Sequence, residues 1–148
     1  MKTITGFTLI EVLIAMLVLA VGLLGLAGLQ ATSLKNNQSA YNRSQATQLA
    51  YDLADRMRAN AAGIGTYTAL LPNAATAKPN CLITTGCSLA DMAENDLFEW
   101  NSAISNVLPS GVSSITVADG VYTIAITWDD DRDGDDSNNP NFQTSFQP

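Results

Sequence analysis

The chain has no histidine and only two cysteines in 148 residues. Without an imidazole, the Ser–His and Cys–His nucleophile pairs cannot be assembled. Cys81 and Cys87 are not in CxxC spacing and have no histidine to complete a ligand set, so neither a zinc site nor a dithiol redox pair is expected. No glycine-rich loop cradles a phosphate, and the aspartates crowd into one flexible stretch instead of forming a recognisable pair, so no enzyme activity is expected. Positive charge is scarce as well. Seven Lys and Arg face 14 Asp and Glu, a net charge of −7, which opposes binding to phosphate backbones and anionic membrane surfaces. No local basic patch offsets that balance, and no direct nucleic-acid partner is expected.

What the chain does have is a long apolar run. Phe7 to Leu29 comprises 23 residues, FTLIEVLIAMLVLAVGLLGLAGL, with Glu11 as its single charged side chain. As an α-helix it would reach roughly 35 Å, enough to cross a bilayer with some tilt. A carboxylate inside hydrocarbon costs on the order of 2.5–3.5 kcal/mol on insertion scales, so Glu11 must be neutral, near the interface or paired. Ahead of the run lies a short polar leader, MKTITG, whose only charged side chain is Lys2. Cleavage between Gly6 and Phe7 would create an α-ammonium four residues from Glu11, able to neutralise the Glu11 of a neighbouring subunit. A competing reading is conventional signal-peptidase cleavage at Gly25-Leu26-Ala27, which would release a soluble domain. Against it stand the 18 uncharged residues from Val12 to Leu29, longer than a signal-peptide core.

Gly6-Phe7-Thr8-Leu9-Ile10-Glu11 followed by an unbroken apolar helix resembles the class III leader of type IV pilins and of the related pseudopilins of type II secretion. The resemblance implies that a prepilin peptidase cuts after Gly6, that Phe7 is N-methylated, and that Glu11 serves subunit assembly by pairing with a neighbour's N-terminus. It implies a single-pass protein of the bacterial inner membrane with a periplasmic C-terminal domain, later carried in a pilus on the cell surface. Charge alone gives little orientation, since Lys2 is balanced by Lys35 and Arg43. In such an extracytoplasmic domain Cys81 and Cys87 would most simply form one disulfide.

Four segments follow: a leader (1–6), a transmembrane or filament-core helix (7–29), an amphipathic helix (30–60), and a head domain (61–148). In the third, Leu34, Tyr41, Leu49, Leu53 and Met57 form an apolar stripe at helical spacing, so the anchor is expected to continue as one long helix. Asp52/Arg56 and Asp55/Arg58 are spaced for helix-surface ion pairs, serving either a neighbouring subunit or a solvated face. Gly22, Gly25 and Gly28 mark where the helix would bend most easily or pack closely against another. Residues 61–86 lose periodicity and predict a long loop with a short strand, tied down by the disulfide. Ser88 and Asp91 read as a helix start, for a helix running to Leu108 with a break near Asn95. Two strands flank Asp119-Gly120, a two-residue hairpin signal, and Phe142, Thr144 and Phe146 predict a third. The inward face of Tyr122, Ile124, Ile126 and Trp128 is expected to rest on the long helix. The fold class is therefore α+β, a long N-terminal helix packed on a small antiparallel sheet, the pilin fold.

Three stretches narrow the resemblance to the PilV family of minor pilins, also called type IV pilus modification proteins: Asp52 to Asn60 (DLADRMRAN), Asp96 to Trp100 (DLFEW) leading to Leu108-Pro109, and Tyr122 to Asp129 (YTIAITWD). It implies a low-abundance subunit that primes pilus assembly near the tip, with the major pilin, other minor pilins, the inner-membrane assembly platform and a tip adhesin as partners. Twitching motility and adhesion would belong to the assembled pilus. The alternatives are a minor pseudopilin of type II secretion and a secreted calcium-binding module. No cofactor is required, but Asp129, Asp131, Asp133 and Asp135 with Gly134 repeat the first half of an EF-hand loop, a candidate calcium site. Pro140 stands where the closing Glu would be, and a solvated acidic turn explains the same residues.

Overall fold

The computed structural model describes residues 6–148. Residues 1–5 of the expected leader, Lys2 among them, lie outside the described residues. Helix α1 (Leu9–Ala59) covers both the apolar run and the amphipathic stretch. Thr8 opens it, its Oγ1 and carbonyl oxygen accepting the Glu11 N–H at 3.4 and 3.1 Å. The helix runs without a break through Gly22, Gly25 and Gly28, and a Cβ on any of them would meet nothing within 4 Å. The chain divides into two compact units, Met1–Ser39 and Ala40–Pro148.

In the first unit every described residue from Gly6 to Gln38 is exposed. Its apolar side chains find no cover within the chain, and it is long and apolar enough to cross a membrane.

The second unit holds the core. The α1 residues that enter it are Asn42, Ala46, Ala50, Leu53, Ala54 and Met57, recurring every three or four positions as a buried helix face requires. The expected stripe is therefore corrected at its start, because Leu34 and Tyr41 are exposed and Leu49 is only half-buried. Small alanines are buried in their place. Trp100 reaches the helix backbone there, its Nε1 donating to the Leu49 carbonyl at 2.8 Å.

Residues 61–88 contain no strand, contrary to expectation. Short 3₁₀ turns at Ala61–Gly63, Pro72–Ala74 and Pro79–Leu82 alternate with a one-turn helix, α2 (Thr66–Ala69). Pro72 and Pro79 each sit at the start of a turn, where a fixed φ and a missing N–H cost nothing. Helix α3 (Leu89–Val107) starts at Ser88, whose Oγ accepts the Asp91 N–H at 3.1 Å. The break expected near Asn95 is absent. The Asn95 side chain bonds away from its own helix backbone, accepting from Lys78 N and donating to Glu99 Oε1, so it does not compete with the helical ladder.

Strands β1 (Val112–Ala118), β2 (Val121–Thr127) and β3 (Asn141–Phe146) form an antiparallel sheet in the order β1-β2-β3. Asp119 and Gly120 turn the hairpin with φ of 50° and 76°, both left-handed as this two-residue turn demands. Ile124, Ile126 and Trp128 face inward and are buried with Leu53, Met57, Leu97, Trp100 and Ile104. The sheet packs on α1 as expected, with Tyr51 edge-on to Phe142 at 6.4 Å and the Arg58 guanidinium 4.6 Å from the Phe146 ring centre.

Candidate functional site

Phe7 lies just ahead of α1 and Glu11 in its first turn. They line one surface groove of about 360 Å³ together with Val12, Ala15, Met16 and Leu19. Glu11 lies in the first turn of α1, where the helix dipole favours a negative charge. It is the one carboxylate of the first unit. An exposed acid among exposed aliphatic side chains is costly to bury against lipid or another helix unless a cation meets it. The geometry is thus that of an anionic socket on an apolar rod.

The remaining polar sites lie in the second unit. Arg56 gathers three carboxylates: Nε donates to Asp52 Oδ2 at 3.0 Å, and Nη1 to Asp96 Oδ1 and Glu99 Oε2 at 3.1 and 2.8 Å. The Asp52–Arg56 and Asp55–Arg58 pairs read from the sequence are both present. The reach from Arg56 across to α3 had no local signal. Burial opposes the Arg56 charge, yet its bonds to Glu99 and Asp96 hold its pKa above the ordinary value, while the bond from Arg56 keeps the Glu99 carboxyl below its own. Tyr67, fully buried, donates to Asp96 Oδ2. Burial first, and that bond second, push its phenol upward.

Cys81 and Cys87 are joined in a disulfide. The segment around it is also pinned by polar contacts, since Thr76 N and Oγ1 both donate to Glu94 Oε1 and Lys78 Nζ pairs with Glu94 Oε2 at 2.9 Å. The tying expected of the disulfide alone is thus shared with α3.

The acidic loop is organised differently from the half EF-hand reading. Asp129, Asp131 and Asp133 each bring a carboxylate oxygen within 4.8 Å of the others, while Asp135 is not among them and accepts the Ser137 N–H at 2.9 Å. Both oxygens of Asp129 already accept backbone N–H groups, from Arg132 and Gly134. The loop is held to α1 by a residue the motif did not mark. Asp130 Oδ1 accepts from Asn42 Nδ2 at 2.8 Å and from Trp128 Nε1 at 3.1 Å. Asn42 is 1% exposed, and a buried amide of this kind needs such a partner.

Two family models match adjoining stretches of the first 98 residues. The prokaryotic N-terminal methylation motif covers residues 1–27, and the family described as type IV pilin Tt1218 covers residues 28–98. This chain belongs to the type IV pilin superfamily. No curated protein and no solved structure matches it. For a pilin, the first match falls on the residues that build the exposed Phe7–Glu11 groove, and it implies processing by a prepilin peptidase and assembly with other pilins. The second match spans the buried half of α1, the helical turns and the first half of α3. The α+β arrangement of a long helix on a three-stranded sheet is that of a pilin subunit.

Proposed function

We propose that this pilin is a minor subunit of the PilV kind, which primes type IV pilus assembly near the tip and so supports twitching motility and adhesion. The observation that carries the reading is the Glu11 carboxylate, exposed in the first turn of an otherwise apolar helix directly after Gly6-Phe7. Cleavage after Gly6 and methylation of Phe7 would leave a cationic N-terminus to meet the Glu11 of another subunit as the helices leave the inner membrane for the filament. The match to the type IV pilin family favours a pilus over the type II secretion machine. The three PilV-like stretches contain much of the core, including Leu53, Met57, Leu97, Trp100, Leu108, Ile124, Ile126 and Trp128. Their likeness therefore supports a shared head architecture, with the Arg56–Asp96–Glu99 network at its centre. The reading needs no cofactor. Calcium at Asp129, Asp131 and Asp133 would order the loop before β3, and calcium-dependent melting tests it.

Deleting the gene and counting surface pili against secreted substrates distinguishes the machines. Loss of pili and twitching with intact secretion is the expected outcome, and the reverse result assigns the chain to the secretion pseudopilus. Glu11→Ala should stay in the membrane yet fail to enter sheared filaments. Its normal recovery there would sink the pairing mechanism.

A further inference from the structure

The disulfide-closed loop presents two adjacent, exposed aliphatic residues of the second unit. Leu82 is 72% exposed and Ile83 is 56% exposed, and Leu89 follows just beyond the second cysteine at 54%. The side chains of these three lie outside the core. Loop residues that merely connect elements are normally polar, so adjacent large aliphatic side chains held out in water call for a cover.

The loop is also rigidly mounted. Gly86, at a left-handed φ of 71°, closes a turn by donating its N–H to the Ile83 carbonyl at 3.0 Å. On the Cys81 side, Cys81 N donates to the Lys78 carbonyl and Lys78 N donates to Asn95 Oδ1, both at 2.9 Å. On the Cys87 side, Ser88 caps α3. Ordering costs that a flexible loop would meet on binding are therefore already met in the fold. Beside Cys87 opens a cleft of about 320 Å³, lined by Cys87, Leu89, Met92, Ala59, Asn60 and Arg56 among others, into which a partner's side chain fits next to the loop.

Charge selects the partner. From Pro79 to Ala90 there is no charged side chain, whereas residues 40–148 as a whole carry thirteen acidic against five basic groups. A second copy would bring the same acidic excess and be repelled. We infer that the Cys81–Cys87 loop is a docking knob for a different protein, one with an apolar socket for Leu82 and Ile83 and a lysine- or arginine-rich rim complementary to the acidic excess of residues 40–148. The inference stands whether or not the chain enters a pilus.

The test places p-benzoylphenylalanine at Leu82 of the full-length chain in its own membranes, with Thr116 on the outward face of β1 as the control position. Irradiation should give one protein adduct from Leu82 and none from Thr116, with a partner, identified by mass spectrometry, whose extracytoplasmic part is basic. Its yield should fall steeply in about 0.5 M salt, where screening lengths shrink to a few Å. With the photoprobe at Leu89, Ile83→Asp should lower adduct yield about tenfold, as removal of a central anchor does. Ile83 is solvent-exposed, and retention of the disulfide, read by non-reducing mass analysis, shows that the variant is folded. An adduct of two copies of this chain, an acidic partner, a lipid adduct alone, or no adduct at all would overturn the inference.

Discussion

The two stretches of α1 on either side of Ser39 obey opposite rules. The first is richer in Leu, Ile and Val than any other part of the chain, yet each of its described side chains up to Gln38 is exposed. The second places three alanines and an asparagine in the core alongside Leu53 and Met57. Hydrophobicity in the first stretch is addressed to surroundings outside the chain, lipid and then neighbouring helices. In the second it is spent within the chain, where the small Ala46, Ala50 and Ala54 are buried together with Leu53 and Met57. One helix thus carries an assembly surface and a folding surface, and the two should be separable by mutation.

The sharpest separation comes from Trp100. Trp100→Ala removes a fully buried ring and its bond to the Leu49 carbonyl, and should cost about 3–5 kcal/mol in denaturant unfolding of the detergent-solubilised chain. Leu17→Ala, an exposed aliphatic of the first stretch, should leave that transition unchanged while weakening entry into filaments. A comparable loss of unfolding free energy in both variants would erase the distinction.

Removing the disulfide comes next. Cys81→Ser with Cys87→Ser opens a loop of six-residue separation, and the chain-entropy relation gives about 2 kcal/mol for so short a closure. Because Glu94 and Asn95 also hold the segment, the loss should appear first as faster hydrogen exchange of residues 79–88, with α1 and β2 protected as before. Simultaneous loss of protection in β2 would show that the disulfide supports the core itself.

The Arg56 network ranks third. Arg56→Ala takes the cation from Asp52, Asp96 and Glu99 and should cost about 1–2 kcal/mol, since these bonds are charge-assisted but partly open to water. Its pH signature is more telling. The Glu99 carboxyl is held below its ordinary value by the bond from Arg56, so its contribution is present above the ordinary carboxylate range, near pH 4.3, and is lost as pH falls through the depressed value. Acid titration of the melting temperature should therefore fall less steeply in Arg56→Ala than in the parent. Parallel curves would place the acid sensitivity elsewhere.

These ranks also show which signals the sequence carries locally. The long helix, the Ser88 cap, the Asp119-Gly120 hairpin and the alternation in β2 each rest on contacts within a few residues, and each is where the residues predict. Partners distant in sequence were hidden. Arg56 shows its i−4 carboxylate, but Asp96 and Glu99 lie 40 and 43 residues away. Asp130 sits unmarked between the motif positions and reaches Asn42 across 88 residues. The turns of residues 61–82 carry no local signature that separates them from a strand-bearing loop, because Tyr67, which anchors them on Asp96, has no periodic companion. At the candidate site, Gly6, Phe7 and Glu11 stand out in the sequence because their spacing is itself a local pattern, and their roles in processing and assembly rest on the proposal above.

The smallest effect tests the boundary itself. Leu34 and Tyr41 look like the beginning of the amphipathic stripe, but both are exposed, and burial of the helix begins at Asn42. Truncating an exposed side chain removes no core contact, so Leu34→Ala should shift unfolding by less than about 0.5 kcal/mol. Asn42→Ala, eight residues later, should cost about 1–3 kcal/mol by leaving Asp130 short of a donor in a part-buried site. If Leu34→Ala proved as costly as Asn42→Ala, the folding surface of α1 would begin a full two turns earlier than the structure places it, and the residues now assigned to assembly would have to be divided anew.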